Sequence, residues 1–403
     1  MAKTVVLVGS LDTKGEEFAF VRELIAGEGL ETITVDFGVM GEPGFTPDVS
    51  RETVAAAAGA DLVYLASGEH KDEAMAAMGE GLAQVVRRLY EEGRLHGILG
   101  MGGSGGTSIA TQAMRELPVG VPKIMVSTVG GGDVSAYSGT RDITFMPSIV
   151  DVAGINSISR QIYANAAGAI AGAVKMEVET PAEEKPLIAA SMFGNTTEAV
   201  TNARHVLEEQ GYEVLVFHAT GTGGRTMESL IADGFITASL DITTTELADT
   251  VCGGVFSAGP ERVQAASKAG IPAVIVPGCV DMANFWGIET VPERYQNRNL
   301  YRWNPNVTLL RTNAAENTQI GEMIAAAANL ATAPVAILLP LRGVSMLDSE
   351  GQPFWDPAAD RACFKAIKSN AADHVQIIEI DANVNDPAFS RTVAKTLLEM
   401  LGG

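Results

Sequence analysis

The residues best placed to do chemistry sit in glycine-rich loops of the first half of the chain. The richest is GILGMGGSGGTS, residues 97–108. A short apolar run leads into Gly100, Gly102, Gly103, Ser104, Gly105, Gly106 and Thr107, and a helical pattern opens directly after. Glycines let a backbone turn sharply and approach a ligand closely, with N–H groups aimed at an anion. Ser104, Thr107 and Ser108 add hydroxyls at the helix start, so a phosphate is the expected ligand. Gly100, Gly102 and Gly105 satisfy GxGxxG. However, the run before them reads as a fourth strand and no acidic residue follows about 20 positions on, which weakens a dinucleotide fingerprint. The GxxxxGK[ST] pattern is absent. The plain alternative is a tight turn that merely needs glycine.

Two further loops belong with it. In VGSLDTKGEE, residues 8–17, Asp12 or Thr13 can cap a helix, Lys14 can neutralise a phosphate, and Asp12 can hold Mg²⁺ or a ribose hydroxyl. In STVGGGDVSAYSGTRD, residues 127–142, Gly131 extends the glycine run, Asp133 and Asp142 are candidates for a metal or hydroxyl, and Arg141 for a phosphate. Asp12 and Asp133 are the expected Mg²⁺ ligands. Parallel sheets bring such loops to one carboxyl edge, so the 8–17 and 100–108 loops should lie together.

The second half carries its own polar loops: MFGNTTEAV with Asn195, Thr196 and Thr197; FHATGTGGRTME with Gly221, Gly223, Gly224, Arg225 and Glu228; and SLDITTTELAD with Asp241, Thr243, Thr244, Thr245, Glu246 and Asp249. Three threonines before Glu246 also read as an ordinary N-cap and capping box. As a site, the cluster suits a carboxylate or phosphate, with Arg225 as a bidentate partner. Lys14, Arg225, Asp241 and Glu246 are the expected catalytic residues. No pair of the five histidines has HxxxH or HxH spacing, and GxSxG is absent, so neither a histidine metal site nor a nucleophile-elbow hydrolase is expected.

The elements that must position these loops alternate. Strand patterns at 4–9, 32–36, 62–66, 97–101 and 123–127 are interleaved with helical patterns at 16–26, 71–92, 107–115 and 156–176. The proline-bracketed, charged stretch 177–186 reads as a linker. Strands follow at 187–190, 213–217, 273–276, 307–310, 335–339 and 375–380, with helices at 196–209, 260–268, 314–329, 357–369 and 387–401. The fold class is α/β: two Rossmann-like lobes, 1–180 and 187–403, with parallel sheets flanked by helices and an inter-lobe cleft.

A formal net charge of −21 disfavours nucleic acid and anionic membranes as partners. No run approaches the ~18 apolar residues of a membrane span, and Met1–Gly9 enters a strand without a signal-peptide pattern. A cytoplasmic homo-oligomer is expected. Cys252, Cys279 and Cys363 are too few and too widely spaced for a disulfide framework.

The loop at 102–107 resembles the GGDGT loop of the phosphofructokinase and NAD kinase group, with Ser104 in place of Asp. Taken in order, GSLDTKG, GMGGSGGTS, SGTRDITFMPSIVDVAGIN, MFGNTTEAV, VFHATGTGGRTME, LDITTTELAD, PGCVDMANFWG, VTLLRT, LPLRGVSMLD and NDPAF resemble the ATP-binding domain family typified by the tomato mosaic virus resistance protein. The matches run from residue 7 to 389. The resemblance implies two Rossmann-like subdomains and ATP binding, and in plants a fusion to a TIM-barrel domain. One departure is Trp303, where the family usually has His before the Asn-Pro of RWNPNVTLLRT. The cofactor expected is ATP with Mg²⁺, on an ATP-dependent enzyme acting on a small carboxylate or sugar acid by phosphoryl transfer or activation, with lobe closure joining the two. The alternative is a non-enzymatic, nucleotide-dependent module that acts with a TIM-barrel partner.

Overall fold

The computed structural model describes residues 2–67, 70–178 and 184–402. Positions 179–183 of the expected linker lie outside the described residues. The chain divides into two compact units, Met1–Thr180 and Pro181–Gly403.

The first unit runs β1 (Thr4–Gly9), α1 (Leu11–Gly27), β2 (Glu31–Asp36), α2 (Arg51–Ala57), α3 (Leu62–Leu65), α4 (Lys71–Glu91), β3 (Gly97–Gly102), α5 (Ser104–Met114), β4 (Lys123–Ser127), α6 (Ser135–Ser138), β5 (Thr144–Pro147) and α7 (Ser157–Lys175). Its five strands form one parallel sheet in the order β2-β1-β3-β4-β5. Side chains alternate between the faces of a strand. Val6 and Val8 therefore join the core under α4 and α5, while Val5 and Leu7 join the core under α1 and α7. A sheet buried on both faces needs strands that are apolar throughout, and β1, β3 and β4 are fully buried.

One expected strand is a correction. Residues 62–66 are not a strand; Leu62–Leu65 is one helical turn, with Asp61 accepting a hydrogen bond from the Val63 N–H at 3.0 Å. A short apolar run does not distinguish strand from helix by periodicity, and here the aspartate cap decides. The glycine loop consequently follows the third strand rather than the fourth.

The second unit contains β6 (Leu187–Met192), α8 (Thr197–Glu209), β7 (Glu213–His218), α9 (Thr222–Ala232), β8 (Ala238–Thr243), α10 (Thr245–Cys252), α11 (Ala265–Ala269), β9 (Ala273–Gly278), β10 (Met282–Phe285), β11 (Leu300–Asn304), β12 (Val307–Arg311), α12 (Ala314–Asn329), β13 (Val335–Pro340), α13 (Pro357–Asn370), β14 (Val375–Ile380) and α14 (Pro387–Met400). Six strands form a parallel sheet ordered β14-β13-β9-β8-β6-β7, and β10-β12-β11 form a small antiparallel sheet. The helix expected at 260–268 begins only at Ala265, because Val263 is held at φ 81°. Strand β8 lies within the stretch read as a polar loop. No helix among the described residues is long and apolar enough to cross a membrane.

Close packing of α2 on α4 depends on Gly81, where an added Cβ would lie 1.9 Å from the Val54 carbonyl oxygen. Overpacking of this kind costs about 1–3 kcal/mol. Gly81→Ala is expected to lower the thermal midpoint by several degrees; an unchanged melting curve would show that the helices adjust freely.

Candidate functional site

Both parallel sheets place the strand of lowest number inside, with the chain leaving it first to one side and later to the other. In the first unit the order 2-1-3-4-5 makes the β1/β3 boundary a topological switch point, where loops diverge and ligands bind outside the carboxyl ends of the strands. A cavity of about 440 Å³ lies there. Ser10, Asp12 and Thr13 after β1, Phe37 to Met40 after β2, and Gly105 and Gly106 at the start of α5 line it. Leu65, Ala74, Met75, Met78 and Ile109 supply an apolar wall, and Lys71 a cation.

Of the sequence candidates, Asp12, Thr13, Gly105 and Gly106 thus come together. Gly102 ends β3, Gly103 is the N-cap of α5 and Ser104 its exposed first residue. Thr107 is buried, its hydroxyl 2.7 Å from that of Ser127, so it ties α5 to the end of β4. Lys14 does not line the cavity. Its backbone is non-helical at φ −135°, and its Nζ donates to the Val152 carbonyl. Gly131 and Asp133 are exposed and also lie outside the lining. Asp133 accepts a hydrogen bond from the Ser135 N–H at 2.9 Å, and the Ser135 side chain and backbone together hold its carboxyl below the usual range. Asp142 pairs with the buried Lys123 at 2.7 Å. Among the described residues there is no group of three or more His, Cys, Asp or Glu that could hold a metal ion.

The glycines of this loop are unusual in what they do not need. Gly102, Gly103, Gly105 and Gly106 all have negative φ. An added Cβ would meet nothing nearer than 3.8 Å at Gly103, 3.7 Å at Gly105 and 3.9 Å at Gly106. Neither backbone conformation nor packing among the described residues explains glycine at positions 105 and 106, while Gly103 is an ordinary N-cap.

The glycine-rich loop of the second unit, which follows the edge strand β7, is built the opposite way. Gly221 has φ 79°, a Cβ on Gly223 would lie 1.8 Å from the His218 carbonyl oxygen, and one on Gly224 would lie 2.2 Å from Glu246 Oε2. Glu246 Oε1 accepts hydrogen bonds from the N–H groups of Gly221 at 2.7 Å and Gly224 at 3.1 Å. The start of α9 therefore already holds an anion, the protein's own carboxylate. Arg262, 1% exposed and missed by the sequence reading, binds that carboxylate through Nε at 2.5 Å and Asp241 Oδ1 through Nη2 at 2.8 Å. Ser191 donates to the same Asp241 oxygen at 2.6 Å. Glu228 lies 3.5 Å from the guanidinium and accepts the Val263 N–H. Asp241 and Glu246 are thus both engaged by one buried cation. Arg225 is exposed and donates to the Ser257 carbonyl at 2.9 Å. Thr196 and Thr243 share a 2.7 Å hydroxyl contact in the interior.

A second buried arginine, Arg311, lies among Asp281, Asp348 and Asp360, with Asp360 at 2.7 Å. Each guanidinium faces more carboxylates than it can neutralise. Burial pushes Glu228 up to about 7, against the pull of Arg262 and with help from Asp241 and Glu246. Burial likewise pushes Asp249 up to about 7, against hydrogen bonds from Asn284 and Phe256. Asp281 and Asp360 also rise, by burial and the nearby Asp348. Arg262, which burial alone would lower, is held well above its ordinary value by Asp241, Glu246 and Glu228.

Models of the Uncharacterised protein family (UPF0261) match this chain twice, the N-terminal domain over residues 3–179 and the C-terminal domain over residues 185–401. A UPF0261 protein of Clostridium tetani is 49% identical over 402 residues, covering 100% of both chains. One of Rhizobium meliloti is 46% identical over 390 residues, 96% of each chain. The ToMV resistance protein Tm-1(GCR237) of Solanum lycopersicum is 39% identical over 334 residues, 81% of this chain and 44% of that protein.

Carboxyls raised in the folded state bind more protons than in the unfolded chain, so stability is present below the unfolded values of about 4 and is lost as pH rises. For Glu228 and Asp249 that window closes at about 7. The thermal midpoint is expected to fall between pH 5 and pH 8; a rise across that interval would contradict the reading. Arg262→Ala leaves the carboxylates buried without their cation and is expected to cost about 3–5 kcal/mol, measured by denaturant unfolding.

Proposed function

This chain belongs to the UPF0261 family, and we propose that its first unit binds a nucleotide, ATP with Mg²⁺, in the cavity at the β1/β3 boundary. The observation that carries this reading is the pair of glycines at 105 and 106, which leave open backbone at a helix start where nothing among the described residues requires them. Glycine in place of alanine in a helix costs about 1 kcal/mol, and close approach of a phosphate accounts for accepting that cost. The volume of about 440 Å³ suits a small-molecule site. Its apolar wall of Leu65, Met75, Met78 and Ile109 suits the faces of a purine, and Lys71 suits a phosphate.

The reaction first expected, phosphoryl transfer to or activation of a small carboxylate or sugar acid, needs an acceptor site in the second unit. There, Glu246 already occupies the anion position at the start of α9, and Arg262 holds Asp241 and Glu246 together. This favours the second reading, a nucleotide-dependent binding or regulatory module acting with a partner, which the family resemblance makes a TIM-barrel protein. The tomato relative, of which the match spans 44%, joins this fold to further chain. Turnover of ATP that is slow alone and stimulated by a partner protein supports the module; stimulation by a small organic acid supports the enzyme.

Binding of ATP at a hundredfold excess over its Kd is expected to stabilise the fold by about 2.7 kcal/mol, a rise of about 5–10 °C. Gly105→Ala is expected to melt at or slightly above the wild-type temperature while losing at least tenfold in ATP affinity. Retained affinity in a normally folded variant would reduce the loop to a turn.

A further inference from the structure

Two aspartates, Asp12 in the cavity lining and Asp36 directly before its lining residue Phe37, are each pinned through one oxygen and free at the other. Asp36, at the carboxyl end of β2, is fully buried; its Oδ1 accepts the N–H groups of Leu11 at 3.0 Å and Gly38 at 2.9 Å, and its Oδ2 has no partner. Asp12, in the first turn of α1, accepts the N–H groups of Met40 at 2.8 Å and Gly41 at 3.2 Å on Oδ2, and its Oδ1 is buried without a partner. Four backbone amides thus orient two carboxylates that approach one another beside Gly38. An added Cβ on that residue would lie 2.6 Å from Asp12 Oδ1. Asp12 and Gly38 both line the cavity.

We propose that Asp12 and Asp36 together read the two ribose hydroxyls of the bound nucleotide, making the first unit selective for ribonucleotides over their deoxy forms. The proposal rests on the nucleotide reading of the cavity. Buried carboxylate oxygens without partners are costly, and they lack here only a pair of hydrogen-bond donors. A ribose diol brings two neighbouring O–H groups, one for each free oxygen. In dinucleotide-binding folds an acidic residue at the end of the second strand takes the ribose, and Asp36 ends the second strand here, without the glycine fingerprint after β1 that accompanies it there. A divalent cation fits less well. It would need further oxygen ligands, and no third acidic, His or Cys ligand joins the pair among the described residues. Gly38 has no side chain to keep a sugar edge from Asp12. Burial, and then the charge of Asp12, raises the Asp36 carboxyl, so an uncharged donor is an appropriate partner.

Calorimetric titration of the full chain with ATP, 2′-deoxy-ATP and 2′,3′-dideoxy-ATP tests this. Hydrogen bonds to charged acceptors lead us to expect about a tenfold or larger loss of affinity for each hydroxyl removed. Asp36→Asn keeps a carbonyl oxygen for the Leu11 and Gly38 amides, so it should fold, bind ATP more weakly and lose most of the discrimination. Equal Kd values for ATP and the dideoxy analogue in the wild-type protein overturn the proposal and leave the nucleotide reading intact. Failure of all three to bind overturns the nucleotide reading, and this proposal with it. The wild-type comparison decides even if the variant does not fold.

Discussion

A parallel sheet whose first strand is interior must send its chain away from that strand on both sides, and the backbone parts at that strand's carboxyl end. The 2-1-3 arrangement recurs in both units of this protein, and what each unit does with the gap separates them. In the first, loops after β1, β2 and β3 stand apart around an open cavity. In the second, Glu246 at the start of α10 satisfies the amides of Gly221 and Gly224 after β7 and is itself held by Arg262. The same strand order surrounds a cavity in one case and lies beside a buried ion-pair cluster in the other.

The glycines record that difference. Around 221–224, positive φ and contacts under 2.5 Å to a hypothetical Cβ account for the residue type without any ligand. Around 103–106 neither argument applies. Sequence alone cannot separate the two loops, since both read as a strand, a glycine cluster and a helix start. The distinction rests on tertiary neighbours: His218 and Glu246 crowd one loop, and among the described residues only Thr128, Met75 and Met101 come near Gly103, Gly105 and Gly106 of the other, at ordinary distances.

Much of the fold was legible because its strands are buried on both faces and its helices are long and periodic; helix α12 and strand β14 occupy the expected spans, 314–329 and 375–380. The failures have physical causes. The run at 62–66 is short enough for one aspartate cap to turn it into a helix. Strand β8 runs directly into the threonines that open α10, so the capping signal masked it. Within the site, Asp12, Thr13, Gly105 and Gly106 stood out through local spacing. Lys71 did not, because it lines the cavity from α4, far in the chain from the loops it joins, and Asp36 did not, because it reads as the last residue of an ordinary strand. Arg262 was likewise hidden: nothing in PERVQAASK marks a guanidinium that is fully enclosed by carboxylates from α9, β8 and α10.

The carboxylate seated at the start of α9 also behaves as a tethered competitor. Held by covalent connection and by Arg262, it is present at its amides at an effective concentration far above that of any free metabolite. Sulfate, phosphate or organic acids in the surrounding solution would have to displace a ligand that never diffuses away. The second unit is in this respect chemically deaf at that position.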